Sequence, residues 1–326
     1  MKLHWNDIID DDGNWSHLQI EVDDQPVGNF QIHSGGNLRF SLTRNELTVF
    51  WGCIEFNYYG AWILRNNFDW EKQNMIIPPI TSNQIENYKC SNQKDKIIYW
   101  SRFFIDSLMK SENTFLYDGK WKISQGFLKW KRQKLDLFEK WIVFETDNVF
   151  TNSQLTYLDW GINGSGNLVA LKDTPNESEG RVKWWRKKVK EGTCPPILAW
   201  YINSLDAFII IDGHRRLKAY QLENIEPEIL VLNTMREEYY PKDMTRRENI
   251  VKSIEIRQNH PSKAKLSIDD INSILIEAYD ERPSIRPITK SIAQADFEEI
   301  WINDVKKFRN QPNIDQEELE AMLKNE

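Results

Sequence analysis

The chain has 326 residues, a net charge of −7 and 40% hydrophobic residues, including 14 tryptophans, and its mean hydropathy is −0.62. These values describe a water-soluble globular chain long enough for two domains. No apolar run approaches the roughly 18 residues of a membrane span, and an acidic chain is a poor generic nucleic-acid coat.

The N-terminus, Met1-Lys2-Leu3-His4-Trp5-Asn6-Asp7, lacks the apolar centre of a secretion signal, so a cytoplasmic location is expected. The acidic cluster Asp10–Asn14 reads as a turn, without the spaced ligands and closing glutamate of a calcium loop. Leu18–Val22 and Asn37–Leu42 alternate apolar and polar residues as half-buried strands do. Gln25–Gly28 and Ser34–Gly36 supply turns, and Leu47–Gly52 and Ile54–Tyr59 continue the strand pattern. An antiparallel, β-rich domain over residues 1–150 is therefore expected, its dense aromatics offering a surface to a protein partner. The span from Pro78 to Lys96 is polar and rich in turn residues, which suggests a surface crossing. Lys96–Lys110 predicts a helix with a stripe of Ile98, Phe103, Ile105 and Leu108.

Two stretches interleave basic and aromatic residues as single-strand nucleic-acid grooves do. One is Lys120–Lys140, with Trp121, Lys129, Trp130, Lys131, Arg132 and Lys134; the other is Arg181–Lys190, with six basic residues around Trp184 and Trp185. In the second, Val182, Trp185 and Val189 also fall on one helical face, so a helix that buries this stripe and solvates its lysines is the competing reading. Gly161-Ile162-Asn163-Gly164-Ser165-Gly166 has neither Walker nor Rossmann spacing and reads as flexible chain. Cys53, Cys90 and Cys194 are scattered, as reduced thiols of a cytoplasmic protein would be.

The sharpest motif is Ile209-Ile210-Ile211-Asp212-Gly213-His214-Arg215-Arg216-Leu217-Lys218-Ala219-Tyr220. It predicts a strand, a glycine turn and a helix N-terminus, which aims free N–H groups and the positive helix end at one point. An imidazole and two guanidiniums there suit an anion, with phosphate first among anions. The plainer reading is a chain turn whose arginines pair with surface acids.

Around this motif, Trp184–Leu232 resembles the ParB/sulfiredoxin-like fold. The matching order is a helix (Val182–Lys190), a glycine turn, a strand (Pro195–Trp200), a second strand ending in Asp-Gly-His-Arg, a helix (Arg215–Leu222) and a closing strand (Pro227–Leu232). With the strand and helix patterns of the rest, an α+β chain in three parts is expected: the β-rich region at 1–150, a domain at 151–235 that the resemblance makes ParB-like α/β, and a helical extension at 236–326. The resemblance also implies nucleotide or other phosphate binding by Gly213, His214, Arg215 and Arg216, with hydrolysis or phosphotransfer open. Arg215 would clamp phosphate oxygens, His214 would donate a hydrogen bond, and Gly213 would let the backbone approach. Asp212 would orient His214 or help hold Mg2+ brought with a nucleotide. Glu248 and Glu255 are further candidates for metal binding or general base work. Sulfiredoxins carry a cysteine where this chain has Gly213, so sulfinic-acid repair is not expected. Partitioning proteins of the family have a Glu-Asn-x-x-Arg segment, and here Glu248-Asn249-Ile250-Val251-Lys252 has lysine for the arginine.

Beyond Leu232 the sequence reads as helical: Met235–Arg247, Glu248–Gln258, and Ser267–Tyr279 with a cap formed by Ser267 and Asp270. Ile288–Ala293 has the opening of a helix-turn-helix, but the residues that follow are acidic, so specific duplex DNA binding is not expected. Asp315–Glu326 reads as an acidic terminal helix and a candidate partner surface. The contrasting functions are a non-enzymatic protein-binding module, such as an immunity, antitoxin or phage-defence component, and a ParB-like nuclease.

Overall fold

The computed structural model describes residues 1–10, 12–67, 69–70, 75–86, 93–126, 149–150, 154–160, 167–239, 243–279 and 284–325. The elements begin with β1 (Lys2–Ile9), β2 (Trp15–Asp23), β3 (Phe30–Ser34), β4 (Arg39–Arg44), β5 (Leu47–Ile54), β6 (Gly60–Arg65), α1 (Ser82–Glu86) and α2 (Gln93–Lys110). They continue with β7 (Gly119–Gln125), β8 (Val149–Phe150), β9 (Leu155–Asp159), β10 (Asn167–Val169), α3 (Gly180–Lys190), β11 (Ile197–Ile202), β12 (Ala207–Asp212), α4 (His214–Glu223) and β13 (Ile229–Glu238). Last come α5 (Met244–Asn259), α6 (Ile268–Tyr279), β14 (Ser284–Ile288), β15 (Ser291–Ala293), α7 (Phe297–Lys306) and α8 (Gln316–Lys324). The fold is α+β.

Two compact units divide the chain, one formed by Met1–Thr234 with Ile288–Glu326 and the other by Met235–Pro287. The sequence-based boundary at 150 is not a boundary between these units, because strands from both sides of it share one sheet. That sheet runs β1-β2-β7-β13-β11-β12-β10-β8, so β7 of the first stretch lies beside β13 of the ParB-like stretch. A six-stranded sheet runs β15-β3-β4-β5-β6-β9. It is antiparallel except where β15 joins β3 in parallel.

Near-continuous apolar runs in the central strands, such as β6 and β11, bury both of their faces, while β1 and β2 alternate and keep one face wetter. In β11, Leu198, Trp200 and Ile202 join the large core shared with Phe30, Phe50 and Trp100, while Ile197, Ala199 and Tyr201 pack with Phe208, Ile210 and Leu217 on the other side. In β5 and β6, Trp51, Cys53, Trp62 and Leu64 face away from the large core and are covered by α7 and α8 through Phe297, Trp301, Leu319 and Met322. Trp301 Nε1 donates to the Phe40 carbonyl at 3.0 Å, and Trp62 Nε1 to Glu318 at 2.7 Å. The apolar face of the acidic C-terminal helix is thus committed to this chain's own core rather than left for a partner.

Several other expectations change. Strand β5 ends at Ile54, and residues 55–59 turn instead of continuing it. The tryptophans Trp51, Trp62, Trp100 and Trp121 are buried, so the exposed aromatic surface of the N-terminal region is Phe56, Tyr58 and Tyr59 on that turn. The Pro78–Lys96 span is no simple surface crossing: it contains α1, and Ile80, Ile85 and Lys96 are buried. The buried face of α2 keeps Ile105 and Leu108 of the expected stripe and adds Ile97, Trp100 and Phe104, while Ile98 and Phe103 are half-buried. Residues 291–293 are a strand, so no helix-turn-helix begins there. The acidic N-terminal cluster is a turn, in which Asp10 accepts from the Asn14 backbone at 2.7 Å. The stretch 127–148, with most of the first basic patch, and the glycines of 161–166 lie outside the described residues, as does Cys90.

In the second unit β13 runs on to Glu238, so 235–238 is strand rather than helix, and α5 begins at Met244 capped by Asp243. The expected cap of α6 is present: Ser267 N donates to Asp270 and Asp270 N donates to Ser267 Oγ at 3.1 Å. Its stripe of Ile271, Ile274, Leu275 and Ala278 is only half-buried.

Candidate functional site

Strand β12 is apolar because both its faces are covered, and it ends at Asp212 where burial relaxes. Gly213 then takes φ +117°, open to glycine and strained for any other residue, and serves as N-cap of α4. No capping side chain competes for the first N–H groups of the helix, so they point outward. A Cβ at Gly213 would stand 3.0 Å from Arg216 Nη2 and 3.2 Å from Ile197. Gly213→Ala is therefore expected to cost about 1–3 kcal/mol, read as a lower urea midpoint at unchanged slope. An unchanged midpoint would contradict the turn geometry.

Arg216 points inward. Only 3% of its side chain is exposed, and its Nη2 donates to Asp212 at 2.7 Å and to the Pro196 carbonyl at 3.0 Å. Its Nε is buried without a hydrogen-bond partner among the described residues. Arg215 points outward, 55% exposed, and pairs with Glu179 at 2.7 Å. That contact holds the Glu179 carboxyl below its ordinary range. The His214 ring places Nε2 where it is buried and unpartnered. Burial, and then Lys172, Arg215, Arg216 and Arg65, push its pKa down to about 3, so the imidazole is neutral at physiological pH.

These residues border a cavity of about 180 Å³ that draws its lining from distant parts of the first unit. Arg44 arrives at the end of β4, Lys172 from the loop after β10, and Arg181 from the first turn of α3. With Arg215 and Arg216 they make five cations and one carboxylate, Asp212, among the described lining residues. Burial lowers the pKa of Arg44, Lys172 and Arg181, and neighbouring cations add to the effect at Lys172 and Arg181. Aromatic faces hold three of them: Arg44 and Lys172 lie over Trp70 at 5.5 and 5.0 Å, and Arg181 over Trp185 at 4.7 Å. The described lining also includes the apolar side chains of Met75, Ile76, Ile77, Pro79 and Ile80.

Sequence reasoning located Asp212, Gly213, His214, Arg215 and Arg216, and the structure brings all five to this cavity. It missed Arg44 and Lys172, and treated Arg181 only as part of a basic stretch. One local signal existed: Arg44 ends a strand, Arg39–Arg44, that is buried at every position. Glu248 and Glu255 lie exposed on α5 of the other unit, while the cavity lining comes from the first unit alone.

The basic helix α3 follows the packing reading. Val182, Trp185 and Val189 are buried, worth roughly 1.5–3 kcal/mol for each large side chain. Arg186 and Lys190 pair with Glu223, and Lys187 and Lys188 with Glu191. Cys194 and Cys53 are buried, which raises their pKa to about 11 and about 12 and keeps them as thiols. Among the described residues no three His, Cys, Asp or Glu side chains cluster as a metal site needs, and no helix is long and apolar enough to cross a membrane. Asp212 is already bridged to Arg216, so the described lining does not form a magnesium site by itself.

In comparisons with known proteins, no family model, no curated protein and no solved structure matches this chain.

Proposed function

We propose that this chain binds a phosphorylated ligand, a nucleotide or another small phosphate compound, in the cavity at the N-terminus of α4. The observation that carries this reading is the convergence of five cations and one carboxylate on a small cavity beside the Gly213 turn. Cations held in a partly dry site are unfavourable alone and favourable around an anion. The N-terminus of α4 adds N–H donors and dipole. Nε2 of the neutral His214 and Nε of Arg216 are buried polar atoms that a phosphate oxygen would satisfy. The resemblance to the ParB/sulfiredoxin-like family points the same way. Binding is better supported than hydrolysis, because Asp212, the one carboxylate among the described lining residues, is engaged by Arg216.

Thermal melts and calorimetry with phosphate, pyrophosphate and nucleotides, with and without Mg2+, test the reading. A ligand at 100 times its Kd is expected to add about 2.7 kcal/mol of stability. Arg215→Ala is expected to weaken binding at least about tenfold, equivalent to about 1.4 kcal/mol. The same change moves the unliganded melt little, since an exposed ion pair contributes about 0.2–1 kcal/mol. If no phosphate compound shifts the melt, the proposal fails. The second reading, docking of a protein partner, is favoured by the exposed aromatics Phe56, Tyr58 and Tyr59, each more than 60% exposed.

A further inference from the structure

We infer that this cavity takes a phosphoryl group that still carries a hydroxyl, and that the Asp212 carboxylate rejects sulfate and other oxyanions that lack one. The inference deepens the phosphate-binding reading above and rests on it.

Asp212 is placed to make that distinction. It ends β12, lines the cavity and stands one residue before the Gly213 turn. Its Oδ2 accepts from Arg216 Nη2 at 2.7 Å, and no described residue donates to its Oδ1. With 27% of the side chain exposed, the carboxylate is open to a ligand. Ionised, it has about four lone-pair sites and no proton to give.

Cations alone do not separate phosphate from sulfate. Lys172, Arg181, Arg215 and the N–H groups at the start of α4 attract both anions, which share their tetrahedral shape. The difference is one proton. Hydrogen phosphate carries a hydroxyl that Oδ1 accepts, so the carboxylate becomes a partner. Sulfate sets a bare oxygen against Oδ1, lone pair to lone pair, with no donor between them. A partly dry site makes that contact costly. A site built around a ligand hydroxyl rejects the analogue without it by large factors, because its own polar group is left unpaired.

The same chemistry ranks phosphate compounds. A monoester or the terminal phosphate of a nucleotide loses its last proton near pH 6. Inorganic phosphate and pyrophosphate keep a hydroxyl at pH 7.5 and are the class this site fits at neutral pH.

The test is calorimetric titration of the full chain at pH 7.5, without Mg2+, with phosphate, arsenate, sulfate and monofluorophosphate. All four are tetrahedral anions of similar size, and only the first two carry a hydroxyl. Phosphate and arsenate are expected to bind within about threefold of each other. Sulfate and monofluorophosphate are expected to bind at least tenfold more weakly than phosphate, equivalent to about 1.4 kcal/mol. Asp212→Asn, whose amide donates as well as accepts, should bring sulfate within about threefold of phosphate. Should that variant fold poorly, the four anions on the unaltered chain still decide. Sulfate or monofluorophosphate within tenfold of phosphate overturns the inference and leaves phosphate binding standing, as does a gap that Asp212→Asn leaves unchanged. Failure of all four anions, with pyrophosphate and the nucleotides failing too, overturns the phosphate-binding reading and this inference with it.

Discussion

Arg216→Ala is expected to destabilise the folded chain by about 3–5 kcal/mol, the largest single effect at this site. The side chain is 3% exposed, bridges Asp212 and also donates to the Pro196 carbonyl. Alanine would take from the Asp212 carboxylate its hydrogen-bonded guanidinium, with Lys172 and Arg181 still near it, and would leave the Pro196 carbonyl without its donor. It would also remove the guanidinium that lies 5.4 Å from the Trp185 ring centroid. In a body of this size each kcal/mol moves the melting temperature by about 2–4 °C, so a fall near 10 °C is expected. Asp212 is 27% exposed, so water recovers part of its loss and the lower end of the range applies. Arg216→Lys should be milder, since one ammonium keeps the charge but cannot reproduce the planar fork. A loss under 1 kcal/mol for Arg216→Ala would mean that the bridge is not formed in solution.

Arg216 was legible in the sequence as a member of a motif, but its role was not. The strand, turn and helix of 207–223 could be read because each signal is local: an apolar β-branched run, a glycine, then helical periodicity. The inward and outward directions of Arg216 and Arg215 follow from the helix phase relative to the sheet, which a local motif does not contain. The remaining cations were hidden for a similar reason. Arg44 and Lys172 reach the cavity only because β4 and the loop after β10 belong to one compact unit, and no spacing rule links residues 44, 172 and 181. Helix α2 shows how crowding misleads a periodicity argument. With Phe103 beside Phe104 and Ile97 beside Ile98, either member of each pair fits the pattern, and tertiary contacts bury Ile97 and Phe104 together with Trp100. Strand β15 was unreadable as a strand because three residues gain that conformation from parallel pairing with β3, more than 250 positions earlier in the chain.

The neutral state of His214 leads to a steep pH dependence. Burial and the cations around it push its pKa down to about 3, against about 6.5 in the unfolded chain. Below pH 6.5 the unfolded chain binds a proton that the folded chain refuses, so stability declines as pH falls and is complete above 6.5. The slope approaches 1.4 kcal/mol per pH unit, and lowering the pH from 7.5 to 5.0 is expected to remove about 2 kcal/mol through this residue. His17, lowered to about 4 by burial and then Lys122, acts in the same window and with the same sign. Urea denaturation at the two pH values separates them: His214→Gln should lose about half of the combined decline and His17→Gln about the other half. A phosphate ligand changes the balance, because an anion beside the imidazole favours its charged form. With saturating pyrophosphate the wild-type decline between pH 7.5 and 5.0 should shrink, while that of His214→Gln should not. An equal decline in wild type and His214→Gln would show that the ring is not held neutral. A decline that His214 controls but pyrophosphate leaves untouched would place the anion away from this ring.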